Sequence, residues 1–218
     1  MVRLIRFAVL GVVAVGLAAP ATAGASDRRL AESLGDLWTT VLELPEAQNP
    51  FTSDNYCVEL AHGRAGRPVV TPFAPFGVTS VTCTVKPGTR LFITAYSSEC
   101  STIEPPPYFG EDEPSLRACA SAADALITTT EMTLDGKPAS LTETETALLH
   151  IVLPEGNIFG LPAGTTAQSV GHGWVAALHP LRRGTHTITL HTEGVDVFGN
   201  AVNFTNKTTI IVTPRREP

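Results

Sequence analysis

Four cysteines, Cys57, Cys83, Cys100 and Cys119, follow an export signal, and that combination constrains the fold more than any other feature of the chain. Residues 1–23 have the three parts of a secretory signal peptide. Arg3 and Arg6 give a positive start, Phe7 to Ala19 an apolar stretch, and Ala21-Thr22-Ala23 a small-residue cleavage site. Export places the cysteines in an oxidising compartment, where an even set forms disulfides and four cysteines allow three connectivities. Strict alternation in Val81-Thr82-Cys83-Thr84-Val85 points Cys83 inward with the two valines, a suitable place for a bridge to Cys57. Cys100 ends the next strand and Cys119 lies on a helix beginning near Pro114, so their bridge would close the proline-rich excursion between them. The expected pairs are therefore Cys57–Cys83 and Cys100–Cys119. There is no C-x-x-C pair and no zinc-type spacing, so the cysteines read as braces rather than as chemistry.

Cleavage after Ala23 of the 218-residue chain leaves 195 residues, enough for one core, and a single secreted domain over residues 24–218 is expected. The apolar stretch removed is shorter than the roughly 20 residues of a membrane-spanning helix, and no second run of that length follows. No cysteine stands just after the signal to take a lipid. The last residues, Arg215-Arg216-Glu217-Pro218, carry no apolar anchor, so free release outside the cell is the expected fate. Leu161-Pro162-Ala163-Gly164-Thr165 approaches a cell-wall sorting signal, but its last two residues are in the wrong order and it reads as a turn. The formal charge of −6 becomes −8 once Arg3 and Arg6 are lost. A phosphate backbone rewards clustered Lys and Arg, so nucleic acid and anionic surfaces are poor partners.

Leu30, Leu34, Leu37, Trp38 and Val41 recur at helical spacing ahead of Pro45, which predicts an amphipathic helix over residues 28–43. Residues 49 to 77 read as loop. Val78 to Val85 and Arg90 to Tyr96 alternate around Lys86-Pro87-Gly88-Thr89, which predicts a hairpin. Glu104-Pro105-Pro106-Pro107-Tyr108 predicts a rigid surface loop. Glu111-Asp112-Glu113 with Pro114 marks the start of a helix over residues 114–126 rather than a calcium site. Asp135-Gly136 signals a tight hairpin turn, and Ala147 to Leu153 a strand buried on both faces, with His150 as a hydrogen-bonded core residue. Ser169 to Leu178, Thr185 to Thr192 and Thr208 to Thr213 complete the strands. Short β-branched strands between Gly and Pro turns indicate a mainly β chain: a β-sandwich, immunoglobulin-like or jelly-roll-like, with an N-terminal helix, one inserted helix and two disulfides.

The chemistry is thinner. Five of the six histidines fall between residues 150 and 191, and His172, His179, His186 and His191 share a strand-turn-strand stretch. His172 and His186 are the candidate metal ligands, but alternation puts His186 and His191 on opposite faces and no H-x-H or H-E-x-x-H pattern fixes a geometry. No G-x-S-x-G turn is present, and no catalytic residue is assigned. Glu99 is held beside a disulfide, and with Tyr96, Tyr108 and Trp174 it forms the candidate binding set, since aromatics beside polar groups suit sugars or peptides. Trp174 also fits the core. Asn203-Phe204-Thr205 and Asn206-Lys207-Thr208 match the glycosylation pattern.

The order of several blocks resembles a group of uncharacterised secreted bacterial proteins: Leu37-Trp38, Cys57, Cys83-Thr84-Val85-Lys86-Pro87-Gly88-Thr89, Glu99-Cys100, Leu116-Arg117-Ala118-Cys119, Leu134-Asp135-Gly136-Lys137-Pro138, Gly171-His172-Gly173-Trp174-Val175 and Gly184-Thr185-His186-Thr187-Ile188. The resemblance spans nearly all of the mature chain and implies export and a sandwich-like domain. It brings no established activity. His186, opening a strand after a tight turn, is expected to brace the sandwich edge.

Together these readings describe a secreted, non-enzymatic binding or structural module of the extracellular space or cell envelope, without a cofactor, that recognises an extracellular polysaccharide or protein. The alternative is a metal-dependent hydrolase or oxidoreductase using the C-terminal histidines.

Overall fold

The computed structural model describes residues 24–60 and 68–213. The signal peptide expected over residues 1–23 and the final Arg215–Pro218 stretch lie outside those residues. Two helices, α1 (Ala25–Leu42) and α2 (Glu113–Asp124), accompany eleven strands. These are β1 (Cys57–Leu60), β2 (Val69–Pro72), β3 (Ser80–Val85), β4 (Arg90–Ser101), β5 (Ile127–Leu134), β6 (Lys137–Ala139), β7 (Thr142–Glu145), β8 (Leu149–Val152), β9 (Thr166–Leu178), β10 (Gly184–Val195) and β11 (Ala201–Val212). One sheet runs β1-β2-β4-β9-β7, with β8 pairing a further stretch of β9; the other runs β3-β11-β10-β5-β6. The pairs β2–β4 and β3–β11 are parallel and the rest antiparallel.

Alternation builds the core between the sheets. Val81, Cys83 and Val85 of β3 meet Leu91, Ile93 and Ala95 of β4, closed by Ile188, Leu190, Ile210 and Val212 from the second sheet. Fully burying a side chain of this kind stabilises the fold by about 1.5–3 kcal/mol. The opposite face of the first sheet is covered by α1, whose Leu34, Leu37, Trp38 and Val41 pack on Phe92 and Val175.

The stretch read as a hairpin, Val78–Tyr96, is not one. Lys86–Thr89 carries the chain from the second sheet to the first, so β3 and β4 pack face to face across the core instead of pairing at their edges. Alternation specifies which residues are buried but not whether the next strand lies beside or opposite. β9 and β10 part company in the same way. The Asp135-Gly136 hairpin is present between β5 and β6, with both residues at positive φ (51° and 75°). Residues 49–77 hold β1 and β2, two four-residue strands too short to show a period. β8 is buried on one face only: Ile151 points in while His150 and Val152 are exposed, so His150 is a surface residue, not a core one.

The disulfides are Cys57–Cys83, which ties β1 of one sheet to β3 of the other, and Cys100–Cys119, which ties β4 to α2. Asp112 caps α2 by accepting from the Ser115 backbone N–H at 3.0 Å, and Pro114 stands in the first turn. Among the described residues no helix is long and apolar enough to cross a membrane.

A bulge interrupts β4 between Thr94 and Tyr96. It resets which side chains face which way, so that Tyr96, Ser98 and Cys100 lie opposite Trp174, His172 and Val170. Gly173 permits it, because a Cβ there would sit 2.3 Å from the Tyr96 carbonyl oxygen. α2 packs beyond the bulge, with Leu116 and Ala120 against Cys100 and Val170.

Candidate binding cleft

Past Leu91, β4 has β9 on one side, and no described strand pairs with its other edge until the isolated bridge between Ser101 and Phe109. That open edge floors a cleft of about 570 Å³. Loops from both sheets build its walls. Trp38, Phe51 and Phe73 form one cluster, with Phe51 and Phe73 edge to face at 5.2 Å. Phe76 meets Phe204 at 6.0 Å on another side, and Tyr108 meets Phe198 at 6.0 Å on a third. Tyr96 and Phe159 bring the aromatic lining to nine residues in a chain that has 2 Trp, 3 Tyr and 9 Phe. The rim is apolar and open: Phe51, Phe76 and Phe198 are 47%, 77% and 63% exposed. Exposed apolar surface gathered at one concave place marks a recognition site more often than scattered single residues do.

The rings are set by local fit. Trp38 lies flat on β9 because residue 171 is glycine; a Cβ there would approach the indole Cδ1 to 2.5 Å. Its Nε1–H donates to Ser97 Oγ at 2.9 Å, and Ser97 Oγ donates onward to the His172 carbonyl at 2.8 Å. The 102–109 loop carries Glu104 and Tyr108 into the cleft, held by backbone hydrogen bonds that the Ser101 N–H and the Tyr108 N–H donate to the Tyr108 and Pro105 carbonyls.

Glu99 and Glu104 stand together in the lining of the cleft. Glu99 is 5% exposed and accepts a hydrogen bond from Ser169 Oγ; Glu104 accepts from Ser101 Oγ at 2.9 Å. Burial pushes the Glu99 carboxyl well above the usual carboxylate range, and the neighbouring Glu104 charge pushes it further. Burial raises Glu104 too, while its hydrogen bonds to Glu99 and Ser101 restrain the rise. Two carboxyls in one buried place cannot both ionise cheaply, so the charge of either one opposes ionisation of the other. Tyr96 is pushed up to about 12 by burial and the Asp124 charge, so its phenol stays neutral. Asp196, at the rim, accepts from the Phe198 and Asn200 backbone N–H groups and fixes the turn that presents Phe198. Among the described residues, three carboxyls line this cleft and no Lys, Arg or His does.

Of the four binding candidates named from sequence, Tyr96, Glu99 and Tyr108 converge here. Trp174 does not; it packs at the edge of the sandwich core, edge to face with His172 at 6.1 Å. Trp38, Phe51, Glu104, Asp196 and Phe198 belong to the site and were not singled out. They come from four stretches of chain, and sequence spacing carries no sign of their meeting.

The histidines do not assemble. His172 Nδ1 is 2.9 Å from Asp124 Oδ2, and its Nε2 is 3.5 Å from Glu143 Oε1. His186 stands on the other sheet, with Nδ1 2.7 Å from Asp135 Oδ2 and Nε2 2.8 Å from the Arg182 carbonyl, bracing the β5–β6 turn. Both of its partners accept, so both nitrogens must carry protons, in keeping with a pKa raised chiefly by Asp135. His191 pairs with Glu193 at 3.1 Å on the surface. Among the described residues, no three His, Cys, Asp or Glu side chains are grouped so that they could hold a metal ion. Of the two glycosylation patterns, Asn206 is 3% exposed and donates to the Val78 carbonyl, whereas Asn203 is exposed.

No family model matches the chain, and no curated protein matches it. Among solved structures, a cysteine protease inhibitor from Entamoeba histolytica is similar over 66% of this chain and 94% of its own, at 12% identity and a TM-score of 0.26. A likeness that slight carries no argument about ligand or partner.

Proposed function

We propose that the protein is a non-enzymatic binding module of the extracellular space or cell envelope, whose ligand places an apolar body in the aromatic cleft at the open edge of β4. One observation carries this reading: most of the chain's aromatic residues line a single cavity, three of them substantially exposed at its mouth, while the buried core between the sheets is aliphatic. A volume of about 570 Å³ falls within the roughly 300–1,000 Å³ of small-molecule sites, so a compact ligand fits better than a long polysaccharide strand. The two disulfides suit an extracellular setting, and export itself rests on the signal-like residues 1–23. The block order similar to that of secreted bacterial proteins points the same way.

A neutral fluorescent apolar dye, N-phenyl-1-naphthylamine, tests the reading. The dye should bind with enhanced emission, and Phe76→Ala and Phe198→Ala should each weaken it at least five-fold while leaving Tm nearly unchanged, because both rings are exposed. Absence of binding, or binding that ignores both substitutions, would refute the cleft as the site.

A further inference from the structure

We infer that the cleft takes an organic cation, a protonated amine or quaternary ammonium carried on an apolar body, with its charged head at the Glu99–Glu104 pair. The inference rests on the binding reading above and adds the ligand's charge. Glu99, Glu104 and Asp196 line the cavity, and among the described residues its lining holds no basic side chain that would neutralise them. A fatty acid or other anion would add a further negative charge to that field. A neutral alcohol would satisfy hydrogen bonds but leave the carboxyl repulsion in place. A cation removes it, and the aromatic rings of the lining add the attraction that such rings exert on cations.

The charged and titratable groups around the pair support the same assignment. Tyr96 and Tyr108 remain neutral phenols, both raised by burial. Asp124 is bonded to His172, which serves that carboxylate and does not line the cleft. In the free protein, burial and mutual repulsion favour the state in which the Glu99–Glu104 pair keeps a proton. When an ammonium arrives already protonated, the pair releases that proton to solvent and pairs with the ligand instead. Charge balances: one proton leaves as one cation enters, and no bond to carbon forms or breaks.

Three probes with one apolar body separate the alternatives: 3-phenylpropylamine, 3-phenylpropan-1-ol and 3-phenylpropanoate, titrated calorimetrically into the purified protein at pH 6.5. The amine should bind at least ten-fold tighter than the alcohol, and the carboxylate weakest. Its enthalpy should differ between phosphate and Tris buffers by an amount corresponding to release of up to one proton. The double variant Glu99→Gln/Glu104→Gln should lose at least ten-fold for the amine and change little for the alcohol. Equal binding of amine and alcohol, or a buffer-independent enthalpy for the amine, would overturn the cation assignment while leaving the cleft as an apolar site. Failure of all three probes to bind would overturn both. The buffer comparison needs no substitution, so the inference is testable even if the double variant folds poorly.

Discussion

Two buried carboxyl sites lie near one another along β4 and β9, and they are resolved in opposite ways. Asp124, 1% exposed, faces the His172 imidazole at 2.9 Å. Glu99, 5% exposed, faces a second carboxyl, Glu104. In the first the fold supplies the counter-charge, as a structural polar site must if burial is not to be strongly destabilising. In the second it supplies only hydroxyls, from Ser169 and Ser101, and opens the site to a cavity. A carboxylate that the protein pairs through one oxygen, as it pairs Asp124 Oδ2 with His172 while Oδ1 stays buried without a hydrogen-bond partner among the described residues, braces it. One left without a counter-charge in the lining of an aromatic cleft is available to something else.

The largest test of this contrast removes the counter-charge. His172→Ala strands Asp124, and breaking a buried pair in this way should cost about 3 kcal/mol, or roughly 6–12 °C in Tm for a chain of this size. Thermal unfolding checks it, and a loss under 1 kcal/mol would mean that water already solvates Asp124. Next in size, Gly171→Ala forces Trp38 off β9 and should destabilise by about 1–3 kcal/mol while weakening dye binding in the cleft. Unaltered binding would show that the indole position does not shape the site.

Smaller again, and of opposite sign, Glu99→Gln should raise stability at pH 8 by about 1 kcal/mol, because it deletes a charge the fold leaves unpaired. A loss there would place Glu99 with Asp124 as a structural acid. The smallest effect is the pH dependence. His172 is raised chiefly by its bond to Asp124, so its contribution is fully present below about pH 6.5 and is lost as pH rises through its raised folded value. Glu99 is also raised, chiefly by burial, so its contribution begins to fall lower, above about pH 4.3. Tm measured from pH 4 to 9 should decline in both windows, with His172→Ala flattening the upper and Glu99→Gln the lower.

The sequence made some of this visible and hid the rest for identifiable reasons. Alternation around Cys83 and the helical spacing of Leu34, Leu37 and Trp38 reflect one-dimensional periods, and they foretold the core, α1 and both disulfides. The Lys86–Thr89 crossover is not legible in the sequence because a Pro-Gly turn serves equally well within one sheet or between two. Tyr96, Glu99 and Tyr108 stood out as polar-aromatic residues near a disulfide. Phe51, Phe76 and Phe198 did not, since an isolated phenylalanine in a loop has no period and its exposure is a tertiary property. The histidine clustering between 150 and 191 is close in sequence but divided in space: β9 and β10 lie on different sheets, and His172 and His186 each serve a local carboxylate.

The central claim is that Glu99 and Glu104 form an uncompensated pair in the free protein, and NMR titration of the two carboxyl carbons between pH 3 and 9 tests it most directly. The account predicts that Glu99 titrates well above the ordinary glutamate value of about 4.3 and that its curve shifts downward when Glu104 is replaced by Gln. Two independent titrations near the ordinary value, unaffected by that replacement, would contradict it.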